Sequence, residues 1–223
     1  MGAPWERRGP RRYRQRPPGC QWPVTSGGPF AAGGKKGRWP TRQGGRVVQG
    51  DGPGEVAGVS ADVPDWSREE PRRFWDPSRR LLRSIRRYQA ARARGAGIAA
   101  RWWVLQHRFW SVITGAEIPL TVRIGGGLLL PHPNGVVIHP EVEIGPNCLI
   151  FQQVTLGNTD HRAGVPRLAG HVDIGAGARV LGPVTLGPHA AVGANAVVLK
   201  DVPGGHVAMG IPARIRPRRI EGA

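Results

Sequence analysis

The chain has 223 residues, of which 39% are hydrophobic, and a formal net charge of +17. Residues 1–110 carry 23 Lys or Arg against 8 acidic residues, a net of +15, whereas residues 111–223 carry 9 against 7, a net of +2. The basic excess therefore belongs to the first half, and the second half lacks the charge that a nucleic-acid-binding domain needs.

Cysteine content and hydropathy indicate in which cellular compartment the protein is located. Two cysteines, Cys20 and Cys148, do not make a disulfide framework or a metal site, and they fit a reducing cytoplasm. No apolar run reaches about eighteen residues, so the sequence predicts no membrane span. We expect a cytoplasmic protein that has no membrane partner.

The first 65 residues are rich in Gly, Pro and Arg and have no sustained hydrophobic period. Such a segment cannot bury enough apolar surface to offset the entropy lost on ordering, so residues 1–65 are predicted to be a disordered basic tail. Two interpretations remain open for it: a solvated tail, or a basic arm that contacts nucleic acid or an acidic partner.

Residues 66–116 carry helix signals. A capping Asp76 precedes Pro77, and two sets of apolar residues at helical spacing follow on either side of residues 95–97. The sets are Leu81, Leu82, Ile85 and Tyr88, then Ile98, Trp102, Leu105, Phe109 and Val112. The pattern predicts a helical hairpin at about 76–113 that packs against the following domain or a neighbouring subunit. The first helix should hold a solvated basic face, formed by Arg79, Arg80, Arg83, Arg86 and Arg87.

The second half of the chain is built on a period of six residues. One register comprises Ile118, Ile124, Leu130, Val136, Val142, Cys148 and Val154, then Val172, Ala178, Val184, Ala190, Ala196 and Val202. A second register, two residues further on, comprises Ile138, Ile144, Ile150, Leu156, Ile174, Val180, Leu186, Val192 and Val198. Glycine often follows the second register, as at Gly145 and Gly175.

A period of six fits neither an α-helix nor an ordinary alternating strand. It fits a triangular prism whose sides are short strands and whose corners take Gly or another small residue, because the backbone there is tight or has positive φ. The sequence predicts a mainly β fold, a hexapeptide-repeat parallel β-helix over residues 117–205; known coils of this class are left-handed. A sandwich of short strands is the disfavoured alternative. Residues 158–166 should project as a loop, and residues 206–223 should form a cap and a basic tail.

Residues 76–215 resemble the serine O-acetyltransferase family of hexapeptide acyltransferases. The helical pair and the phrase from Gln153 to Gly157 are the specific part of the resemblance. Other matching phrases are Gly135 to Ile138, Ile174 to Gly182, Val197 to Pro203 and Gly210 to Arg214.

The resemblance implies a catalytic His132 and an orienting Glu117, fifteen residues earlier. A hydroxyl group needs a base with a pKa near neutrality to attack a thioester, and histidine supplies one. A carboxylate partner would fix the tautomer of that histidine and stabilise its imidazolium form. The implied reaction is direct transfer of acetyl from acetyl-CoA to an alcohol, without an acyl-enzyme.

The resemblance also implies a binding site for acetyl-CoA, as co-substrate rather than as a permanent cofactor. Pantetheine would lie near Ala176, Gly177 and Ala194, with Lys200 and Arg214 toward the nucleotide phosphates. Such a groove lies between neighbouring prisms, so a homotrimer is implied. The short helical segment leaves a dimer of trimers open.

The chain departs from the family pattern in the elements that hold serine. Pro131 stands where the family has Asp before the catalytic histidine, and Gly164 and Val165 stand where it has an Arg-His pair. We expect His161 and Arg162 of the same loop to contact the substrate instead. The other histidines at repeat positions, His139, His171, His189 and His206, are expected to be solvated, and no pair has the spacing of a hexapeptide zinc site.

The leading prediction is a serine O-acetyltransferase that converts acetyl-CoA and L-serine to O-acetyl-L-serine and CoA for cysteine biosynthesis. The first alternative is the same chemistry on the hydroxyl of a sugar, a polysaccharide or a natural product. The second is a non-catalytic basic scaffold. Metal and nucleic acid are not expected as partners.

Overall fold

The computed structural model describes residues 59–159 and 162–218, so most of the predicted tail, residues 1–65, lies outside the described residues. A 3₁₀ turn over Trp66–Arg68 is followed by two helices, α1 (Pro77–Ala93) and α2 (Gly97–Thr114). The strands are β1 (Arg123–Ile124), β2 (Val137–Ile138), β3 (Glu143–Ile144), β4 (Leu149–Ile150), β5 (Thr155–Gly157), β6 (Arg167–Leu168), β7 (Asp173–Ile174), β8 (Arg179–Leu181), β9 (Thr185–Leu186), β10 (Ala191–Val192), β11 (Val197–Val198), β12 (His206–Met209) and β13 (Arg214–Pro217).

The predicted helical hairpin is confirmed. Its second helix, α2, carries apolar side chains on two of its sides. Leu81, Leu82 and Ile85 of α1 are buried in the main core. On α2, Trp110 is buried, but the predicted stripe on the opposite side is exposed, with Ile98 at 88% and Val112 at 82%. Within the described residues, neither helix has the length and apolar content that crossing a bilayer requires.

The remaining residues form the predicted left-handed parallel β-helix. Three sheets make its sides, in the strand orders β1-β3-β6-β9, β4-β7-β10-β12-β13 and β2-β5-β8-β11. Val137 pairs with Thr155, eighteen residues on, whereas Thr155 pairs with Arg179, twenty-four residues on. The six additional residues are accommodated where residues 158–166 leave the coil, so the stacking resumes unchanged after them.

Both sixfold registers point into the prism. Val136, Val142 and Val154 of the first register are 0% exposed, as are Ile150 and Leu156 of the second. Cys148 lies among the inward residues, and burial raises the pKa of its thiol to about 12. It therefore acts as a small apolar side chain rather than as a nucleophile.

The corners differ from the prediction in two ways. None of the glycines that follow the second register has a φ in the left-handed region. At Gly145, Gly175 and Gly187, glycine is needed because the backbone of the neighbouring coil approaches closely. A Cβ on Gly145 would lie 2.5 Å from the carbonyl carbon of Ala169, and one on Gly175 would lie 2.7 Å from the nitrogen of Ala194. The left-handed corner positions instead include large polar residues, among them Asn147 and His171, because Asn and His adopt this conformation more readily than most side chains.

Positive-φ residues form two edges of the prism. The first is Gly127, Asn147, His171 and His189, which we name the covered edge. The second is Gly135, Gln153, Gly177 and Asn195, which we name the exposed edge. Along each edge, the backbone N–H of one corner donates to a carbonyl at the corner of the coil before it.

Residues 59–70, which we name the strap, lie against the covered edge. The buried side chain of Asn147 donates to the carbonyls of Ser60 and Val63, both at 2.7 Å, and accepts the N–H of Asp65 at 2.8 Å. A Cβ on Gly170 would overlap Ala61, so this glycine admits the strap. Contacts with the coil thus begin a few residues before the predicted boundary at residue 65.

The basic face of α1 is only partly solvated, contrary to the prediction. Arg86 donates to both carboxylate oxygens of Glu69, at 3.0 and 2.8 Å, and to the carbonyls of Ile124 and Gly125. Glu69 is 8% exposed and also accepts the N–H of Leu128 at 3.1 Å. Arg86 therefore joins α1, the strap and the first coil, because a buried carboxylate requires a charged partner.

The predicted C-terminal cap is an antiparallel strand. β12 continues the parallel stack on β10, and β13 then reverses to pair with β12, Ala208 opposite Ile215. Arg218, which follows β13, donates to Asp173 at 3.0 Å. The last coil is thus closed by the chain that follows it.

Candidate functional site

The exposed edge carries the segment that contains His132. His132 itself is exposed, in the bend that precedes β2. Gly135, three residues later, donates its N–H to the carbonyl of Gly115 at 2.8 Å, and the carbonyl of Asn134 accepts the N–H of Gln153 at 2.9 Å. The bend is therefore fixed between the coil before it and the coil after it.

Glu117 lies beside the same segment. It forms a parallel bridge with Val137, in which Glu117 donates to the carbonyl of Val136 at 2.8 Å and accepts the N–H of Ile138 at 3.0 Å. The first two coils thus put the exposed Glu117 next to the strand that follows His132. The spacing of fifteen residues is consistent with both side chains serving one site.

Three of the residues predicted to bind acetyl-CoA lie further along the exposed edge. Ala176 and Gly177 occupy one corner, and the carbonyl of Ala176 accepts the N–H of Asn195 in the next coil at 2.8 Å, which stacks Ala194 beside it. Gly177 already donates its N–H to the carbonyl of Gln152 at 2.9 Å, and a Cβ there would overlap Asn195. The backbone N–H of Gly177 is therefore already used within the coil, and the lack of a side chain at Gly177 leaves room for the side chain of Asn195.

The two predicted cations are exposed at the far end of the coil. Lys200 follows β11, and Arg214 begins β13. Both side chains are free to meet solvent or a ligand, and both are several coils away from His132.

A groove opens on the side of the prism that contains β2, β5 and β8, beneath the end of α2. Its volume is about 570 Å³, within the range of small-molecule sites. Aliphatic and proline side chains make up most of the lining. The polar residues that line it are His107, Ser111, Glu117, His139, Thr155 and Asn158. Glu117 is the predicted catalytic residue that lines this groove.

The sequence analysis did not mention His107 and expected His139 to be solvated, yet both line the groove. His107 lies on the side of α2 opposite the apolar stripe, a position that helical spacing could have identified. Its Nδ1 is 3.3 Å from the Ser84 hydroxyl and its Nε2 is 3.5 Å from the Ser111 hydroxyl. Burial lowers the pKa of His107, opposed by a hydrogen bond to the backbone of Ile118, so the neutral ring is favoured.

Of the two loop residues predicted to contact the substrate, the structure describes Arg162, which is not among the groove residues. His161 lies outside the described residues. Arg162 is exposed and donates to the carbonyl of Leu199 at 3.1 Å, near the last coil. Val165 packs against the core, and Pro131 is exposed beside His132. Within residues 59–159 and 162–218, no group of three His, Cys, Asp or Glu side chains is arranged to hold a metal ion.

Two other histidines belong to the covered edge and are not both solvated, contrary to the prediction. His171 is 7% exposed, and its Nδ1 is 2.7 Å from the Nδ1 of His189. Burial lowers the pKa of His171, and the nearby Asp173 opposes this shift. One ring must donate to the other, so this pair has a structural role on the edge remote from His132.

Known proteins resemble the repeat region in sequence. No family model matches the chain. A serine acetyltransferase of Synechococcus elongatus is 44% identical over 106 residues, which are 47% of this chain and 43% of that protein. One of Helicobacter pylori is 46% identical over 104 residues, 46% of this chain and 61% of that protein. The chain spans about half the length of the curated relatives that it matches.

Solved structures resemble its fold. Soybean serine acetyltransferase in complex with serine has a TM-score of 0.55 and 33% identity, over 63% of this chain and 57% of that chain. Serine acetyltransferase of Brucella abortus in complex with coenzyme A has a TM-score of 0.55 and 30% identity, over 62% of this chain and 55% of that chain. In sequence and in fold, the chain is therefore similar to serine acetyltransferases over part of their length.

Proposed function

We propose that this chain is an acetyl-CoA-dependent O-acetyltransferase, with L-serine as the first candidate acceptor and cysteine biosynthesis as its role. The main support is the position of Glu117 beside the segment of His132, at the start of an edge whose later corners hold Ala176, Gly177 and Ala194. The solved relatives with serine and with coenzyme A support the choice of both substrates.

In the proposed mechanism, His132 accepts the proton of the acceptor hydroxyl as its oxygen attacks the acetyl carbon. Glu117 holds the ring and stabilises the imidazolium form. The tetrahedral intermediate then collapses, the carbon–sulfur bond breaks, and the imidazolium returns the proton to the thiolate of CoA. The exposure of His132 fits this role, because its ring must meet both substrates.

Acetyl-CoA would lie along the exposed edge. The absence of a side chain on Gly177 keeps this corner narrow, and small residues at 176 and 194 let a pantetheine chain approach the backbone. Lys200 and Arg214 would then provide positive charge toward the phosphates, since both are exposed beyond the last corner.

We further propose that the chain acts as a homotrimer in the cytoplasm. A groove between prisms needs a neighbour, and the exposed stripe of α2, with its spacing of four, three, four and three, has the pattern of a helix–helix seam. A second copy of the chain is the proposed occupant. The low cysteine count supports the location. Sedimentation of the Leu105→Glu variant as monomer, against a trimeric parent, would support the assembly.

Acetyl transfer to a sugar, polysaccharide or natural-product hydroxyl is the second candidate. Pro131 and Val165 favour it, because neither provides the charges with which the family holds a zwitterionic amino acid.

The test measures the rate at which free CoA thiol is released from acetyl-CoA when L-serine, other hydroxy amino acids or sugars are supplied as acceptors. We expect His132→Ala to lower kcat by roughly 10²–10⁴-fold without changing Tm, since the ring is exposed. His206→Ala, which removes a histidine from the C-terminal cap, is the matched control. Thiol release at the parent rate by His132→Ala would refute the mechanism. Failure with every acceptor would favour the scaffold alternative.

A further inference from the structure

The loop that interrupts the coil runs along the prism toward its C-terminal end. Thr159, just after β5, forms an antiparallel bridge with Arg162. Its hydroxyl lies beside Gly182 of the next coil, 3.6 Å from where a Cβ would be. Arg162 then donates from Nη1 to the carbonyl of Leu199, in the coil after that, at 3.1 Å. Because this carbonyl directly precedes Lys200, the guanidinium is held beside the backbone of a second exposed cation.

Arg162 and Lys200 present positive charge at one place. Both are exposed, and none of the ion pairs formed within the described part of the chain includes either of them. The carboxylate of the neighbouring Asp201 accepts the N–H of Thr185 at 2.7 Å. Arg162 makes a single side-chain hydrogen bond to the described residues, whereas a guanidinium carries five N–H donors in a planar fork. Such a fork can bind two oxygens of a phosphate at once.

The separation along the prism fits one co-substrate that meets both His132 and these cations. From the coil of His132, the sheet passes from β2 to β5, β8 and β11, which is three strand spacings, or about 14 Å. The pantetheine arm of CoA, from sulfur to phosphorus, has the length of about four extended residues, so it also spans about 14 Å. The diphosphate adds length for the offset across the sheet. With the acetyl carbon at His132, the phosphates therefore reach the last coil, whereas a serine-sized acceptor does not.

We propose that Arg162 is a co-substrate-binding residue whose guanidinium, together with Lys200, binds the phosphates of acetyl-CoA. This inference rests on the proposed function. It moves Arg162 from the acceptor, which the sequence analysis expected it to contact, to the nucleotide end of the donor. The loop then acts as a specificity element that distinguishes acetyl-CoA from thioesters that lack the nucleotide. Arg162 takes no part in the proton transfer at His132.

Three substitutions of Arg162 separate its charge from its hydrogen bond to Leu199. Arg162→Ala removes both, Arg162→Gln keeps an uncharged N–H donor, and Arg162→Lys keeps the charge without the fork. We expect Arg162→Ala and Arg162→Gln to raise the KM for acetyl-CoA roughly tenfold or more, with kcat and Tm unchanged. Arg162→Lys should recover part of the loss. Arg83→Ala removes one exposed charge from α1 and, as the matched control, should behave as the parent.

The sharpest comparison uses S-acetylpantetheine, which has the same thioester and the same arm but no phosphate. Its KM should be equal in the parent and in Arg162→Ala, because the guanidinium has no phosphate to bind. A purely structural role of the loop would instead raise the KM of both donors. Titration calorimetry with CoA and with pantetheine repeats the comparison without an acceptor. Arg162→Ala should bind CoA at least about tenfold more weakly and pantetheine as the parent does.

The outcomes separate this inference from the proposed function. Equal binding of CoA by the parent and Arg162→Ala overturns the inference, and so does an equal loss of affinity for CoA and pantetheine. Parent-like behaviour of Arg162→Gln also overturns it, because the hydrogen bond to Leu199 would then suffice. In each of these cases an active parent leaves the proposed function standing. A parent that binds no CoA and releases no thiol with any acceptor overturns the proposed function and the inference with it.

Discussion

The covered edge and the exposed edge have the same backbone and opposite surroundings. Asn147 on the first has φ of 58° and Asn195 on the second has φ of 57°, and each donates its N–H to the corner below at 2.8 Å. Yet Asn147 is 1% exposed and binds three groups of the strap, whereas Asn195 is exposed. The regular coil thus provides equivalent corners, and the segments laid on them decide which corners are structural and which can meet a ligand.

The comparison also shows where polar residues are kept for stability. On the covered edge, the strap and Arg218 provide partners for Asn147 and for Asp173 beside the histidine pair. On the exposed edge, the side-chain amide of Gln153 has one acceptor among the described residues, the side chain of Asn134 at 3.1 Å. Substitutions on the first edge should therefore change unfolding, and substitutions on the second should mainly change binding or catalysis.

The largest expected effect concerns Arg86, which anchors the strap. Arg86→Ala leaves the buried Glu69 without its bidentate partner, and we expect the free energy of unfolding to fall by about 3–5 kcal/mol. Urea unfolding measures this loss. Arg83→Ala, an exposed arginine on the same helix, is the control and should change stability by less than about 0.5 kcal/mol.

Two further results would test whether the unpaired charge of Glu69 causes this loss of stability. Adding Glu69→Gln to Arg86→Ala should restore part of the stability, because it removes the uncompensated charge. Equal stability of Arg86→Ala and Arg83→Ala would show that the strap contributes little, and the contrast between the two edges would fail.

A smaller effect is expected at the corner asparagines, which form a matched pair. Glycine tolerates their positive φ, so Asn147→Gly and Asn195→Gly share the same backbone cost. Asn147→Gly also loses three hydrogen bonds to the strap, at about 0.5–1.5 kcal/mol each. We expect it to be less stable than Asn195→Gly by about 2–3 kcal/mol in urea unfolding. Similar losses in both variants would contradict the assignment of Asn147 to the strap.

The smallest effect is a change in pH dependence at His171. Burial lowers the pKa of His171 in the folded chain. Below the ordinary histidine pKa of about 6.5, the unfolded chain therefore binds a proton that the folded chain does not bind. Stability therefore falls as pH drops through this range, and His107 acts in the same direction. His171→Asn, which suits the positive φ, should reduce the slope of Tm between pH 8 and pH 5. His206→Asn should leave it unchanged; an unaltered slope in His171→Asn would contradict the prediction.

The coil could be predicted because its cause is local and repeated. An apolar side chain must point into the prism every six positions, as Val136 and Leu156 do. The two registers repeat this pattern many times along the sequence. The role of Arg86 could not be predicted in this way. Its partner Glu69 lies seventeen residues away in a segment without a period, and an arginine on the polar face of a helix has the same local pattern whether or not it is paired.

The site was predicted only where spacing and resemblance coincided. Glu117 and His132 were predicted as site residues because fifteen residues separate them in a known arrangement. The structure puts their segments side by side, and their catalytic roles stay a prediction. His107 and His139 were not identified as groove residues, because one is on a helix and the other in a coil, and their shared groove arises only when α2 packs on the prism.

The reversal at β13 has a consequence for self-assembly. A stack of parallel strands ends in unpaired N–H and C=O groups, which can template the addition of another molecule and so begin a filament. Here the rim of one of the three sheets is paired with an antiparallel strand whose sequence includes Arg214, Arg216 and Pro217. Like charges repel a second copy, and proline has no N–H to offer it, so on this side the C-terminal end of the prism resists end-to-end polymerisation.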